Sequence, residues 1–274
     1  MNYIELVINV PEEKSALSEV LVAFLAEQGY ESFCEEKDKL LAYIIESNYN
    51  EELTKMLMSA YGFSFCKNII EQKNWNEEWE KHFEPIQIDD VLTIKARFHE
   101  QKSETINTVF IEPKMSFGTG HHATTYMMCK LMSAFDMTES HVLDFGCGTG
   151  VLSIYASLLG ASNIIAIDID EWAYENSIEN ANINSVSNIS VLRGDINNVP
   201  DLKYDFIFAN INLNVLLNDI PVLVKFMNYD SLLFVSGFLI NELKLIEKCC
   251  FENGLILARN IEKDNWSACV FNKM

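Results

Sequence analysis

The chain has 274 residues, 49% hydrophobic and 22% charged, enough apolar material for one large core and a smaller satellite, which excludes a disordered or fibrous protein. Forty Asp and Glu against twenty Lys and Arg leave a formal net charge of -20, which repels bare nucleic acid and favours a basic protein partner. The seven cysteines (Cys34, Cys66, Cys129, Cys147, Cys249, Cys250 and Cys269) are scattered without C-x-x-C spacing, which suits reduced thiols and predicts no metal site.

Tyr3 to Val10 alternates apolar and polar residues and carries Glu5, so it reads as a strand and not an export signal. Leu17, Val20, Leu21, Phe24 and Leu25 then recur at helical spacing and stop at Gly29. Lys39 to Glu46 is a predicted strand, Glu51 to Tyr61 a helix closed by Gly62, and Phe63 to Ile70 a strand. This alternation predicts a small ferredoxin-like α/β domain over residues 1–70, with two helices on one face of an antiparallel sheet. An acidic, aromatic linker follows over 71–92, where Trp75, Trp79, His82 and Phe83 would share one helical face before Pro85. That face either pins the linker to the next domain or also guides a basic substrate.

Residues 93–274 form the predicted catalytic domain. A strand at Thr105 to Glu112 runs into the loop Pro113-Lys114-Met115-Ser116-Phe117-Gly118-Thr119-Gly120-His121-His122, and Ala123 to Ala134 is helical. Strands at His141 to Phe145, Asn163 to Ile167, Ile189 to Leu192, Tyr204 to Ala209 and Ser231 to Ser236 are interleaved with periodic segments. Short apolar runs separated in this way predict a mostly parallel sheet covered by helices on both faces. Gly254 to Asn260 and Trp266 to Phe271 close the chain as a hairpin, adding antiparallel edge strands for a total of seven. The uncharged stretch from Phe145 to Ile167 is too broken by glycines to span a membrane, so a cytoplasmic, monomeric protein with no membrane contact is expected.

Asp144-Phe145-Gly146-Cys147-Gly148-Thr149-Gly150 lies at a strand-to-helix junction, where glycines let a ligand approach the backbone and the helix start offers free N–H groups. Its G-x-G-x-G spacing differs from the dinucleotide fingerprint, because Val151 occupies the place of the last glycine. Asp144 repels phosphate and suits a cationic amino-acid head, which argues for a ligand carrying an ammonium and a sulfonium. Asp168 ends the next strand where an acid can accept two ribose hydroxyls, while Asp170 caps the following helix. After the third strand, Asp195 could accept from an adenine amino group beside an apolar wall at Ile196. Acids at successive strand ends outline an adenosyl pocket. Asn210 ends the fourth strand as a neutral amide; it either orients an attacking amine or caps the helix that follows. Of His121 and His122, His121 is the candidate general base, and two adjacent histidines with no third ligand make no convincing metal site.

Several segments together resemble one family. They are Trp75-Asn76-Glu77-Glu78-Trp79, Phe83-Glu84-Pro85-Ile86, Phe117-Gly118-Thr119-Gly120-His121-His122-Ala123-Thr124-Thr125, Asp144 to Gly150, Asp168-Ile169-Asp170, Ala209-Asn210-Ile211 and Ser236-Gly237. The chain is similar over nearly its whole length to the bacterial ribosomal protein lysine methyltransferases that modify the eleventh large-subunit ribosomal protein, in the class I S-adenosylmethionine-dependent superfamily. The resemblance implies an N-terminal substrate-recognition domain, S-adenosyl-L-methionine as cofactor, and methylation of lysine side chains and the N-terminal amine of a basic ribosomal protein. It places cofactor contacts on Thr125, Gly146, Asp168 and Asn210, to which the residue reading adds Asp144, Gly148, Gly150 and Asp195. Alternatives are a methyltransferase for another protein or a small amine, or a non-catalytic ribosome-associated module. A glutamine-directed enzyme would favour an Asn-Pro-Pro-Tyr motif, and here Ile211-Asn212-Leu213 follows Asn210. Two departures stand out: Ala123 where the family usually has proline, and Asn228-Tyr229-Asp230 where it usually has glycines.

Overall fold

A computed structural model of the chain describes residues 2–70, 84–99, 105–114 and 116–273. The aromatic face expected at Trp75, Trp79, His82 and Phe83 lies outside these residues. The chain divides into two compact units, Met1–His82 and Phe83–Met274.

In the first unit β1 (Tyr3–Asn9), α1 (Ser18–Glu27), β2 (Ser32–Glu36), β3 (Lys39–Ile45), α2 (Glu51–Tyr61) and β4 (Ser64–Ile70) follow in order. The strands pair antiparallel as β2-β3-β1-β4, a ferredoxin-like arrangement. Alternation in β1 sends Ile4, Leu6 and Ile8 into a core with Leu21, Leu25, Leu40, Ile44 and Met58. Asn50 caps α2 by accepting from the Leu53 N–H, and Gly62 ends it in the left-handed conformation, φ 65°. The sequence reading missed β2. Its Ser, Cys and Glu residues are mostly exposed on an edge strand, so no apolar alternation announces it.

The second unit opens with a three-stranded sheet, β5 (Ile86–Ile88), β6 (Leu92–Lys95) and β7 (Asn107–Phe110), in that order. The stretch expected to end the linker therefore carries strand. The segment at 105–112 joins this small sheet and not the large one. Next come α3 (Ala123–Met132), β8 (His141–Phe145), α4 (Val151–Leu158), β9 (Asn163–Asp168), α5 (Glu171–Ile183), β10 (Ile189–Arg193) and β11 (Tyr204–Asn210). The chain continues through α6 (Leu213–Leu223), β12 (Met227–Leu239), α7 (Leu243–Glu252), β13 (Leu255–Lys263) and β14 (Trp266–Lys273).

These last seven strands form one sheet, β10-β9-β8-β11-β12-β14-β13, parallel from β10 to β12 and antiparallel at β14 and β13. Strand order reverses between β8 and β11, so the crevice for a ligand opens at their carboxyl ends. Both faces are covered: Met128, Ile154 and Tyr155 belong to one core cluster, and Leu216, Ile220 and Ile246 to the other. Strand β12 starts earlier than expected, taking in Asn228-Tyr229-Asp230, and Asp230 adopts φ 63°. That left-handed backbone explains why glycine suits the position, and why an aspartate is the tolerable substitute. Ala123 is the first residue of α3, where proline's fixed φ and missing N–H would cost nothing. Among the described residues, no helix is long and apolar enough to cross a membrane.

Candidate active site

The glycine turn is built by close approach of protein to protein. Gly146 and Gly148 adopt φ 77° and 56°. A Cβ on Gly146 would overlap the Ile211 side chain, and one on Gly148 the Phe117 carbonyl oxygen. The loop before α3 is latched onto this turn: the Thr149 N–H donates to the Phe117 carbonyl at 2.9 Å and its hydroxyl to the Gly118 carbonyl at 2.7 Å. From behind, α5 holds the same turn with buried polar side chains. Ser177 Oγ donates to the Gly148 carbonyl at 2.9 Å and Asn180 Nδ2 to the Thr149 carbonyl at 2.9 Å. Asn180 Oδ1 also accepts the Glu112 N–H at 2.7 Å, tying the turn to the chain that leads into the loop.

A cavity of about 510 Å³ lies at the carboxyl edge of the sheet, within the range of small-molecule sites. It brings together five of the sequence-predicted residues: Gly146, Gly148, Asp168, Asp195 and Asn210. Asp168 Oδ2 accepts the Gly148 N–H at 2.9 Å and Oδ1 the Asp170 N–H at 3.0 Å, so the carboxylate is fixed while lone pairs remain on both oxygens. Asp170 caps α5 by accepting from the Trp172 N–H at 2.8 Å. Asp195 caps the short turn Ile196–Asn198 with Oδ1, which accepts the Asn197 N–H at 2.9 Å. Asn212, not Asn210, caps α6, taking the Val215 N–H at 3.2 Å. Asn210 is left to face the cavity: its Nδ2 donates to the Thr125 hydroxyl at 3.4 Å, and its buried Oδ1 has no hydrogen-bond partner among the described residues.

Four predicted residues do not line the cavity. Asp144 is 1% exposed, and Oδ2 accepts both the N–H and the hydroxyl of Ser153, at 3.1 and 2.7 Å. The start of α4 therefore claims the carboxylate expected to hold an amino-acid head. Burial, opposed by those Ser153 bonds, pushes its carboxyl up to about 7. Gly150 is the N-terminal cap of α4 and packs on Ser177. Thr125 is fully buried behind Asn210. His121 is exposed, within 3.4 Å of the Thr119 hydroxyl, whereas His122 lines the cavity. The reason is the start of α3, where His122 is the cap residue, with Nδ1 2.7 Å from the Thr124 hydroxyl. Burial lowers the His122 pKa, which favours the neutral ring. Ile196 packs against the core and does not line the cavity, whereas Ile169, 72% exposed, does.

Sequence reasoning also missed Trp266, Phe117 as a wall, and Asp219. The His122 ring lies edge-on to Phe117 and Trp266, with centroids 5.2 and 4.9 Å away. Trp266 opens a strand distant in sequence, and only the pairing of β14 with β12 brings it here. Asp219 could have been found as the one charged residue of α6, otherwise apolar or amide apart from its proline. Among the described residues no group of three or more His, Cys, Asp or Glu could hold a metal.

The charged side chains lining the cavity are Asp168, Asp195 and Asp219, all acidic. Such a lining fits a ligand with ammonium and sulfonium charges and repels phosphates. With this strand order and glycine turn, it defines a class I S-adenosylmethionine-dependent methyltransferase. The family model "Ribosomal protein L11 methyltransferase (PrmA)" matches residues 7–274. The ribosomal protein L11 methyltransferase of Bacteroides fragilis is 39% identical over 99% of both chains. That of Chlorobaculum parvum is 37% identical over 97% of this chain and 94% of its own. The crystal structure of the ribosomal protein L11 methylase from Lactobacillus delbrueckii subsp. bulgaricus superposes with TM-score 0.66 at 26% identity, covering 70% of this chain and 100% of its own. The chain belongs to the ribosomal protein L11 methyltransferase family.

Proposed function

We propose that this chain transfers methyl groups from S-adenosylmethionine to lysine side chains and the N-terminal amine of ribosomal protein L11, in the cytoplasm. The observation that carries the reading is the pairing of an acid-only charged lining with the unpartnered Oδ1 of Asn210 at the end of β11. When bound, the cofactor supplies an electrophilic methyl on a positively charged sulfur. The rest is binding and alignment by the protein. Asp168 takes the ribose hydroxyls, Asp195 takes the adenine amine, and the backbone of Gly146 and Gly148 seats the remainder. Asn210 Oδ1 accepts an N–H of the incoming amine and turns its lone pair toward the methyl. Thr125 fixes the rotation of the Asn210 amide from behind.

Lysine has a reference pKa near ~10.4, so the nucleophile is the minor neutral form at pH 7. The acidic cleft attracts the cationic side chain, and a neutral amide at the point of transfer accepts the free amine without adding a charge that would hold its proton. The first unit recognises the substrate, and the net charge of -20 favours its basic surface. The deciding experiment incubates the protein with labelled S-adenosylmethionine and separated ribosomal proteins, then maps label by mass. Label at L11 lysines and its N-terminus is expected. Label confined to another protein or to small amines overturns the substrate assignment.

A further inference from the structure

Asp219 is an acid placed where the helix itself does not use one. It is mid-helix in α6, away from both caps, and only 6% exposed. Its Oδ1 accepts the side-chain amide of Asn218 at 2.6 Å, and Oδ2 has no partner among the described residues. A carboxylate that is nearly enclosed yet keeps one oxygen uncommitted and open to the cavity has room for a further partner. The residue lines the cavity, so a ligand there can be that partner.

Its place along the cleft says which part of the ligand. The cavity runs from Gly194 and Asp195, beyond β10, to Trp266 on β14. That is five strand spacings, roughly 24 Å. Helix α6 packs against the turn Ile196–Asn198 that Asp195 caps, and Leu216, Ile220 and Ile196 belong to the same core cluster. Asp219 therefore belongs to the end of the cleft held by Asp195, away from the aromatic end at His122 and Trp266.

We propose that Asp219 is a second base-recognition residue: its Oδ2 accepts one N–H of the exocyclic amine of the cofactor's adenine while Asp195 accepts the other. The amine has two hydrogens, and each carboxylate has one oxygen uncommitted to the protein. A 6-oxopurine would turn an acceptor toward both acids, so the pair selects 6-aminopurine. This rests on the methyltransferase reading and extends it to base specificity.

The test is calorimetric binding of S-adenosylhomocysteine and of its inosine counterpart to the full chain, with the Asp219→Asn and Asp219→Leu variants melted in parallel to confirm folding. Asp219→Asn is expected to weaken the adenosine ligand by about tenfold, the scale of one hydrogen bond to a charged group. The same variant should bind the inosine ligand tighter than the parent does, because its amide can donate to the 6-oxo group. Asp219→Leu should weaken the adenosine ligand without that gain. Equal weakening of both ligands by Asp219→Asn would reduce the residue to a diffuse charge and overturn the assignment. Unchanged adenosine affinity with a raised KM for the protein substrate would move Asp219 to the substrate site and likewise overturn it. A parent protein that binds neither ligand fails the methyltransferase reading itself, a result separable from the other two.

Discussion

The Phe117 carbonyl oxygen occupies the space where Gly148 would carry a Cβ, and the same oxygen accepts the Thr149 N–H at 2.9 Å. One backbone carbonyl thus fixes both the shape of the glycine turn and the position of the loop before α3. The glycine is required by the loop as much as by any ligand. Gly148→Ala would have to displace backbone, and φ 56° adds strain for any side chain. The expected result is a folded protein whose affinity for S-adenosylhomocysteine drops by about tenfold or more, since loop and turn both line the cleft. Calorimetry together with proteolysis of the loop checks this: faster cleavage near Phe117 should accompany the loss.

Asp168 holds two backbone N–H groups, from Gly148 and Asp170, while facing the cleft. Asp168→Ala removes the ribose acceptor and also frees the turn, so no labelling is expected at low cofactor concentration. Asp168→Asn keeps the shape but offers an amide donor to one of those N–H groups, and an intermediate affinity is expected. Unchanged cofactor affinity in Asp168→Ala would remove the ribose role.

Asn210 and Thr125 separate alignment from binding. Asn210→Ala deletes the acceptor proposed to orient the amine, and loss of one preorganised group of this kind costs on the order of a hundredfold in kcat. Cofactor affinity should change far less. Thr125→Val keeps the volume but loses the hydroxyl that receives the Asn210 amide at 3.4 Å, a long bond, so a decrease of only a few-fold in kcat is expected. Single-turnover rates with saturating cofactor distinguish the two. An Asn210→Ala variant with normal kcat and weakened cofactor would make Asn210 a cofactor residue alone.

Much of this architecture was legible in the residues because its signals are local. The glycine turn, the acids at the ends of β9 and β10 and the beat of strand and helix each fall within a few positions. What was not legible depends on distant packing or on fine choices of phase. His121 and His122 are neighbours with the same chemistry, and only the first turn of α3 decides that His122 faces the cavity. Asp144 reads as a ligand for a cation until Ser153, one helix start away, is seen to take it. Ser177 and Asn180 look like an ordinary polar helix surface, yet α5 turns them inward to brace the glycine turn. β2 lacks any apolar alternation, so its pairing with β3 alone reveals it.

Recognition by the first unit makes a separate prediction. Replacing residues 1–70 with the corresponding segment of a relative should change preference among L11 proteins and leave S-adenosylhomocysteine affinity within about twofold, since every residue lining the cavity belongs to the second unit. Competition between two L11 substrates, read by mass, tests it. Unaltered preference would return recognition to the second unit.

Asp144 predicts a pH dependence of stability. Its carboxyl is fully buried, Oδ1 has no partner among the described residues, and burial pushes the pKa up to about 7, against an unfolded value near ~3.9. The folded state therefore binds the proton more tightly than the unfolded state. The stability due to this group is fully present below ~4 and is lost as pH rises through about 7, opposite to a salt-bridged aspartate. Asp144→Asn removes the titration while its amide oxygen keeps the acceptor for Ser153, so the variant should lose less stability than the parent between pH 4.5 and 7.5, by up to a few kcal/mol (about 1.4 kcal/mol per unit of pKa). Urea unfolding of both proteins across that range reads the difference, and parallel curves would mean the carboxylate stays ionised in the fold. Because Asp144 sits directly before the glycine turn, the same series measured with S-adenosylhomocysteine present should show whether its proton also tightens the turn. If so, cofactor affinity falls through the same pH window in the parent and is flat in Asp144→Asn.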